Sequence, residues 1–208
     1  MSALPFMLEM NELSAVVVGG GAVACRRVKP LVEVGTAEIV VIAPMLNDEL
    51  LRLEKEGWLR WEQRMAMDTE VFLCDLVFLC TNEPQLHEGI KKNKAPRQLV
   101  YRSDDAQAGD FYVPARMNDG LLTVSVSTAG ASPSYTKRVK GEVERVLPAN
   151  AEEELEFLQE ARQRVLRTNA PRERQLALLK ELATPEFLQD ERREERLEER
   201  LRELGRKN

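Results

Sequence analysis

Three consecutive glycines in the stretch Ala15-Val-Val-Val-Gly-Gly-Gly-Ala-Val-Ala24 join a β-branched run to a helix-like one. These residue types at this spacing suit a loop that holds the pyrophosphate of a dinucleotide. Gly19 permits a tight turn out of a strand, and Gly21 lets backbone approach a phosphate with no Cβ in the way. Ala24 permits close contact between helix and strand. The first helical turn, with Ala22 and Val23, points its N–H groups at the negative charge. A glycine turn of this kind also occurs in other α/β proteins, so the loop alone defines no activity. A second β-rich run, Glu38-Ile-Val-Val-Ile-Ala43, follows at the spacing of a βαβ unit. An acidic residue to grip the ribose 2′-hydroxyl is expected at its end, and Ala43-Pro44 stands there instead. The pattern therefore leaves NAD and NADP both open.

A pair of carboxylates forms the second candidate. Asp104-Asp105 follows the fifth strand-like run, and the carboxyl edge of an open α/β sheet is where ligands bind. Two adjacent like charges raise each other's apparent pKa, which would suit a proton acceptor. A turn closed by Asp-Asp is the alternative. His87 is the only histidine, and with no nucleophile elbow beside it, it reads as structural or peripheral, lining a site being the lesser alternative. Cys25, Cys74 and Cys80 are odd in number and show no CxxC spacing, which speaks against a disulfide framework or a structural zinc site.

The elements that must position these groups alternate. Strands are expected at Ser14–Val18, Glu38–Ala43, Trp58–Glu62, Leu76–Cys80 and Gln98–Tyr101, with helices at Val23–Val34, Asn47–Glu56 and Gln85–Lys92. Alternation of this kind predicts a parallel sheet covered by helices. Pro30 falls inside the first helix and should kink or shorten it. Beyond Asp105, Phe111–Pro114 and Leu121–Ser127 read as strands, the second with Leu122, Val124 and Val126 on one face. Ser132-Pro133 reads as an N-cap followed by proline at the first helical position, opening a helix over Pro133–Val146. From Pro148 the composition shifts to Glu, Arg and Leu, with Pro171 and Pro185 marking breaks between helices. Asp190–Asn208 is read as a solvated helix laced with ion pairs, a dimer-forming arm being the alternative.

With 208 residues the chain can bury one substantial core and a small second unit. A formal charge of −5 argues against a general nucleic-acid binder, and no apolar run is long enough to span a bilayer. No basic region precedes the apolar residues at the N-terminus, so a cytoplasmic protein is expected.

Taken in order, several motifs form one series. They are the Gly-Gly-Gly-x-Val-Ala loop with its following arginines, Ala43-Pro44, Cys80-Thr-Asn-Glu-Pro84, Asp104-Asp105 with Phe111 and Pro114, and Ser127-Thr-Ala-Gly-Ala-Ser-Pro133. From about Pro5 to Leu147 the series resembles the precorrin-2 dehydrogenase / sirohydrochlorin ferrochelatase family, the first domain of siroheme synthases. The resemblance implies an α/β fold with three parts: an NAD-binding Rossmann domain over residues 1–112, a small α+β dimerisation and substrate region over 113–147, and a helical C-terminal region over 148–208. It implies NAD-dependent oxidation of precorrin-2 to sirohydrochlorin, a stand-alone enzyme without a fused methyltransferase, a homodimer, and in some members insertion of Fe²⁺.

Carried over by residue, Asp104 matches the family's key aspartate and is the expected catalytic residue. Cofactor contacts fall to Gly19, Gly21, Ala22, Val23, Ala43, Pro44, Thr81 and Asn82. The many carboxylates of the tetrapyrrole call for cations, for which Arg102, Arg116, Lys137 and Arg138 are candidates. Asp105 joins this substrate set, as does Thr128, whose hydroxyl would bond substrate or metal, or merely finish a strand. Ser132 is expected to cap. No metal-ligand motif is visible. Tyr101 and His87 stand where the family typically has asparagine, and Tyr101 would lie near the nicotinamide side. These two departures motivate a second reading, a non-catalytic tetrapyrrole- or NAD-binding protein on the same fold. A third, an unrelated Rossmann dehydrogenase or regulatory domain, leaves the motifs beyond the loop unexplained.

Overall fold

The computed structural model describes residues 3–205. The chain divides into two units. One runs to Val113 and includes Ala129–Ala131, and the other comprises Pro114–Thr128 and continues from Ser132.

The first unit is built on a parallel sheet of β1 (Ser14–Val18), β2 (Glu38–Ile42), β3 (Arg60–Glu62), β4 (Leu76–Leu79) and β5 (Leu99–Arg102), in the order β3-β2-β1-β4-β5. The connecting helices are α1 (Ala22–Glu33), α2 (Asp48–Lys55) and α3 (Pro84–Lys92). Because helices cover both faces, the strands read as nearly unbroken apolar runs. Alternation divides them: Ala15, Val17, Ile39, Val41 and Phe78 pack under α1 and α2 with Val28, Leu31 and Leu50. Val16, Val18, Val40, Ile42, Val77 and Leu79 pack with Leu86 and Ile90 of α3. The registers Val18↔Ile42 and Val18↔Leu79 bring the ends of β1, β2 and β4 level, which sets the carboxyl edge where the glycine loop begins.

Two expectations are corrected in this unit. Pro30 does not shorten α1 at its own position, since the helix continues to Glu33 and the carbonyl of Pro30 accepts from Val34 N at 3.2 Å. Phe111–Pro114 is not a strand. Phe111 instead packs edge-on against Phe78, with ring centroids 5.5 Å apart, and Pro114 has no N–H to give a ladder.

The second unit holds the antiparallel hairpin β6 (Ala115–Asp119) and β7 (Leu122–Val126) and the helices α4 (Pro133–Glu144), α5 (Ala151–Leu166), α6 (Arg172–Leu182), α7 (Pro185–Leu188) and α8 (Arg193–Gly205). Ser132 caps α4 as expected, its Oγ accepting from Tyr135 N at 3.2 Å. Pro171 and Pro185 stand at the starts of α6 and α7. The reading of the last helix as a solvated one is corrected. Leu197 and Leu204 of α8 are buried against Phe157, Val165, Leu182 and Phe187. The charges on its other faces reach neighbouring helices, as in Arg193–Glu153 at 2.5 Å and Arg200–Glu181 at 2.6 Å.

Candidate active site

At the carboxyl ends of β1, β2 and β4, where the strand order changes direction, the first unit opens a cleft of about 550 Å³. The triple glycine forms its floor, and the three positions differ in what they tolerate. Gly19 has φ +121°, and a Cβ there would lie 2.9 Å from the Cys80 carbonyl oxygen. A Cβ on Gly20 would meet the Met45 carbonyl oxygen at 1.9 Å, because the chain after β2 crosses directly over it; Asn47 N donates to Gly20 O at 2.9 Å. At Gly21 nothing lies within 4 Å of that position.

Gly21 is also the N-cap of α1, which has no side-chain cap and no acidic residue in its first turn. The N–H groups of Ala22 and Val23 have no partner within the helix and belong to residues lining the cleft. Open space at Gly21 beside an uncapped helix N-terminus fits a dinucleotide pyrophosphate. Ala43, Pro44, Thr81 and Asn82 line the same cleft. Cys80 lines it too, but burial pushes its thiol up to about 12, so it is no nucleophile at neutral pH.

Beyond the end of β4 the side chains form a continuous series. Thr81 Oγ1 lies 2.9 Å from His87 Nε2, and His87 Nδ1 lies 2.6 Å from Asp104 Oδ1. Arg102 donates to Asp104 from Nε at 3.2 Å and from Nη2 at 2.7 Å, and its Nη1 reaches Glu88 at 2.8 Å. His87 and Glu88 come from the first half of α3, while Arg102 and Asp104 come from the end of β5 and the loop after it. His87 is fully buried, at 0% exposure. The Arg102 guanidinium, with His87 beside it, holds the Asp104 carboxyl well below the usual aspartate range despite partial burial. An ionised carboxylate only accepts, so His87 Nδ1 carries a proton and donates it to Asp104.

These positions correct several expectations. His87 is structural rather than peripheral: fully buried, it joins Asp104 to Thr81, a residue of the cleft. Arg102 is 6% exposed and committed to two carboxylates, so it does not offer a cation to substrate. Asp105 does not raise the Asp104 pKa. Its own Oδ1 accepts from Gln107 N at 2.8 Å and from Ala108 N at 3.3 Å, closing a turn. Tyr101 is a core residue outside the cleft lining. Its hydroxyl accepts from Arg27 Nη2 at 2.7 Å, and its ring packs on Phe78 and Phe111.

The remaining expected residues belong to the second unit. Thr128 Oγ1 accepts from Ser132 N at 3.2 Å and lies 2.9 Å from Thr136 Oγ1, so its hydroxyl serves the start of α4. Arg116 is half-buried on β6, opposite Ser125. Lys137 and Arg138 are exposed neighbours on α4, the latter paired with Glu142 at 2.6 Å and resting on the Tyr135 ring. Gly20, His87 and Arg64, another cleft residue, carry parts of the site that the sequence reading did not assign. For His87 the available signal was Pro84, which opens a helix directly after the fourth strand and places the histidine in its first turn.

Cleft, strand order and glycine loop together define a dinucleotide-binding α/β protein, and residues 6–115 match the family described as "Putative NAD(P)-binding". The chain is 30% identical over 181 residues to the precorrin-2 dehydrogenase of Priestia megaterium, an alignment covering 87% of this chain and 89% of that one. It is 33% identical over 149 residues to a siroheme synthase of Nitrosococcus oceani, covering 71% of this chain and 32% of that one. The solved structure of SirC, a precorrin-2 dehydrogenase, superposes with a TM-score of 0.83 at 26% identity, covering 97% of this chain and all of that one. The chain belongs to the precorrin-2 dehydrogenase family.

Proposed function

We propose that the chain catalyses the NAD-dependent oxidation of precorrin-2 to sirohydrochlorin, a step toward siroheme or a related modified tetrapyrrole. The observation that carries this reading is the bonded series Thr81–His87–Asp104 at the border of a glycine-floored cleft, in a chain of this family. Bound NAD supplies the hydride acceptor. The chain's residues hold it and handle the proton. The N–H groups of Ala22 and Val23 meet the pyrophosphate, Gly21 leaves room for it, Ala43 and Pro44 border the adenosine end, and Thr81 and Asn82 border the nicotinamide end.

Oxidation takes a hydride and a proton from the tetrapyrrole. Both oxygens of the ionised Asp104 carboxylate already accept, Oδ1 from His87 Nδ1 and Arg102 Nε and Oδ2 from Arg102 Nη2, so Asp104 acts through His87. Its role is to fix the Nδ1–H tautomer of His87 and to stabilise the ring when it gains charge. A proton reaching the Thr81 hydroxyl is relayed as that hydroxyl gives its own proton to His87 Nε2. Arg116, Lys137 and Arg138 offer partners for the substrate's carboxylates.

The same reading has the chain acting in the cytoplasm as a homodimer. Support for the dimer comes from α4, no residue of which is buried, and from the exposure of Leu121 and Tyr135. No helix among the described residues is long and apolar enough to cross a membrane.

An anaerobic assay with enzymatically generated precorrin-2, followed by the sirohydrochlorin spectrum with NAD, with NADP and with neither, tests the reading. Oxidation that requires NAD is expected; absence of oxidation with either nucleotide overturns it and leaves a tetrapyrrole carrier. Fe²⁺ added at the end of the same assay tests chelation, for which the four tetrapyrrole nitrogens would be the ligands.

A further inference from the structure

The adenosine end of the cleft lacks the acidic residue that marks NAD selectivity in many such folds, since β2 runs into Ala43-Pro44. The strand beside it fills the place. Ala43 N donates to Glu62 O at 3.2 Å, and Trp61 Nε1 donates to Ala43 O at 2.9 Å, which fastens the end of β3 to the end of β2. Arg64 follows directly and lines the cleft. Among the described residues it is the only cation that lines the cleft.

Its guanidinium is already engaged at every nitrogen. Nε donates to Glu62 Oε2 at 2.9 Å, and Nη2 lies 2.8 Å from the same oxygen. Nη2 also donates to Glu70 Oε1 at 2.5 Å, while Nη1 donates to Glu70 Oε2 at 3.1 Å and to Met65 O at 3.2 Å. Glu70 is in turn held by Met67 N at 3.0 Å, and Glu62 by Arg60 Nη1 at 2.6 Å. Recognition of a ribose 2′-phosphate needs an arginine with donors free for the phosphate oxygens. Here the arginine is present, but two fixed carboxylates occupy it.

We propose that Glu62 and Glu70 set the nucleotide specificity of the cleft by sequestering Arg64, so that it accepts a dinucleotide with a free 2′-hydroxyl and rejects the 2′-phosphorylated form. This rests on the reading of the cleft as a dinucleotide site and deepens it. A 2′-phosphate would have to displace a carboxylate from Arg64 or sit uncompensated beside Glu62 and Glu70. In Glu70→Gln one carboxylate oxygen becomes an amide donor, so Arg64 loses an acceptor and the charge around it falls by one.

The test is calorimetric titration of the full chain with NADH and with NADPH, in the absence of substrate. The unaltered protein should bind NADH at least about tenfold more tightly than NADPH. Glu70→Gln should tighten NADPH by about tenfold, the size of one added charge-assisted hydrogen bond, with NADH changed less than about twofold. Glu70→Gln combined with Arg64→Gln should lose that gain. If Glu70→Gln does not fold, as judged by thermal melting, Glu62→Gln is read by the same criteria. An NADPH gain of less than about threefold, or a gain that survives removal of Arg64, overturns the inference. Equal binding of the two nucleotides by the unaltered protein overturns the inference alone, whereas binding of neither removes the dinucleotide reading with it.

Discussion

The cleft wall at Gly19–Val23 is made of backbone, with shape set by what glycine lacks, whereas the border at Thr81, His87 and Asp104 is made of side chains drawn from β4, α3 and the loop after β5. The backbone wall comes from one continuous segment, held in place by the chain after β2 and by the end of β4. The side-chain border exists only after α3 has been laid against the sheet, since His87 must reach Thr81 behind it and Asp104 ahead of it in the chain. The first wall can be disturbed by adding a methyl group, and the second only by removing or neutralising a partner. Binding and chemistry should therefore come apart under mutation.

The sharpest contrast lies between adjacent glycines. Gly20→Ala places a Cβ 1.9 Å from the Met45 carbonyl oxygen, which is backbone and cannot step aside. A stability loss of about 3 kcal/mol or more in urea denaturation is expected, at or beyond the top of the usual overpacking range. Gly21→Ala meets nothing within 4 Å, so its stability should stay within about 1 kcal/mol, the scale of a changed N-cap. Its methyl group would occupy the space assigned to pyrophosphate, and NADH affinity in titration should fall by about tenfold or more. Equal NADH affinity in Gly21→Ala and the unaltered chain would sink the assignment of that space.

On the opposite border the pattern should reverse. Asp104→Asn keeps the size of the side chain and removes the charge that fixes His87. Turnover is expected to drop by about 100-fold, within the range for a misdirected acid–base group, with NADH binding changed less than about twofold. The same variant should lose about 2 kcal/mol of stability, because Arg102 is 7% exposed at its side chain and keeps only Glu88. His87→Leu, which removes both ring nitrogens, should show a similar kinetic loss while leaving the Arg102–Asp104 pair intact.

The pH response follows from the same pair. The Asp104 pKa is lower in the folded chain than in the unfolded one, so the unfolded chain binds the extra proton and stability rises with pH through the window. The contribution is fully present above the ordinary aspartate value of 3.8 and is lost as pH falls below it toward the folded pKa. Denaturation midpoints measured at several pH values below about 5 should fall less steeply for Asp104→Asn than for the unaltered chain. Parallel curves would mean that the carboxylate is not held by Arg102 in solution.

The comparison between the walls also explains what was legible in the sequence. The parallel sheet and its helices follow from β-branched runs and local helix signals, and the glycine loop from local backbone chemistry. Asp104 could be placed at the sheet edge for the same reason. The partners of Asp104 could not, because two neighbours in the chain take different roles for tertiary reasons: Asp104 faces α3, and Asp105 closes a turn. Arg102 was read as a substrate cation because sequence shows its charge and not the two carboxylates that neutralise it. His87 reads from sequence as structural or peripheral, because a lone histidine carries no sign of what lies beside it; the structural half of that reading agrees with its burial. The last helix failed for a related reason. Its alternating charges mask a leucine stripe, and only the packing of α5, α6 and α7 shows that Leu197 and Leu204 face a core.

The smallest effects should come from the second unit, where charged and capping side chains on α4 act locally. Ser132→Ala removes the bond to Tyr135 N at the start of α4, and a stability loss of about 1 kcal/mol is expected, the ordinary worth of an N-cap. Arg138→Ala breaks an exposed pair with Glu142 on the same helix and should change stability by less than about 0.5 kcal/mol. Neither change touches the glycine loop or the Asp104 series, so NADH titration should be unaltered in both. If Arg138 meets a substrate carboxylate, its loss will appear in KM for precorrin-2 with kcat unchanged, since binding charge contributes equally to ground and transition states. An unchanged KM would leave Arg138 as a helix-surface charge and pass the substrate's carboxylates to Arg116 and Lys137.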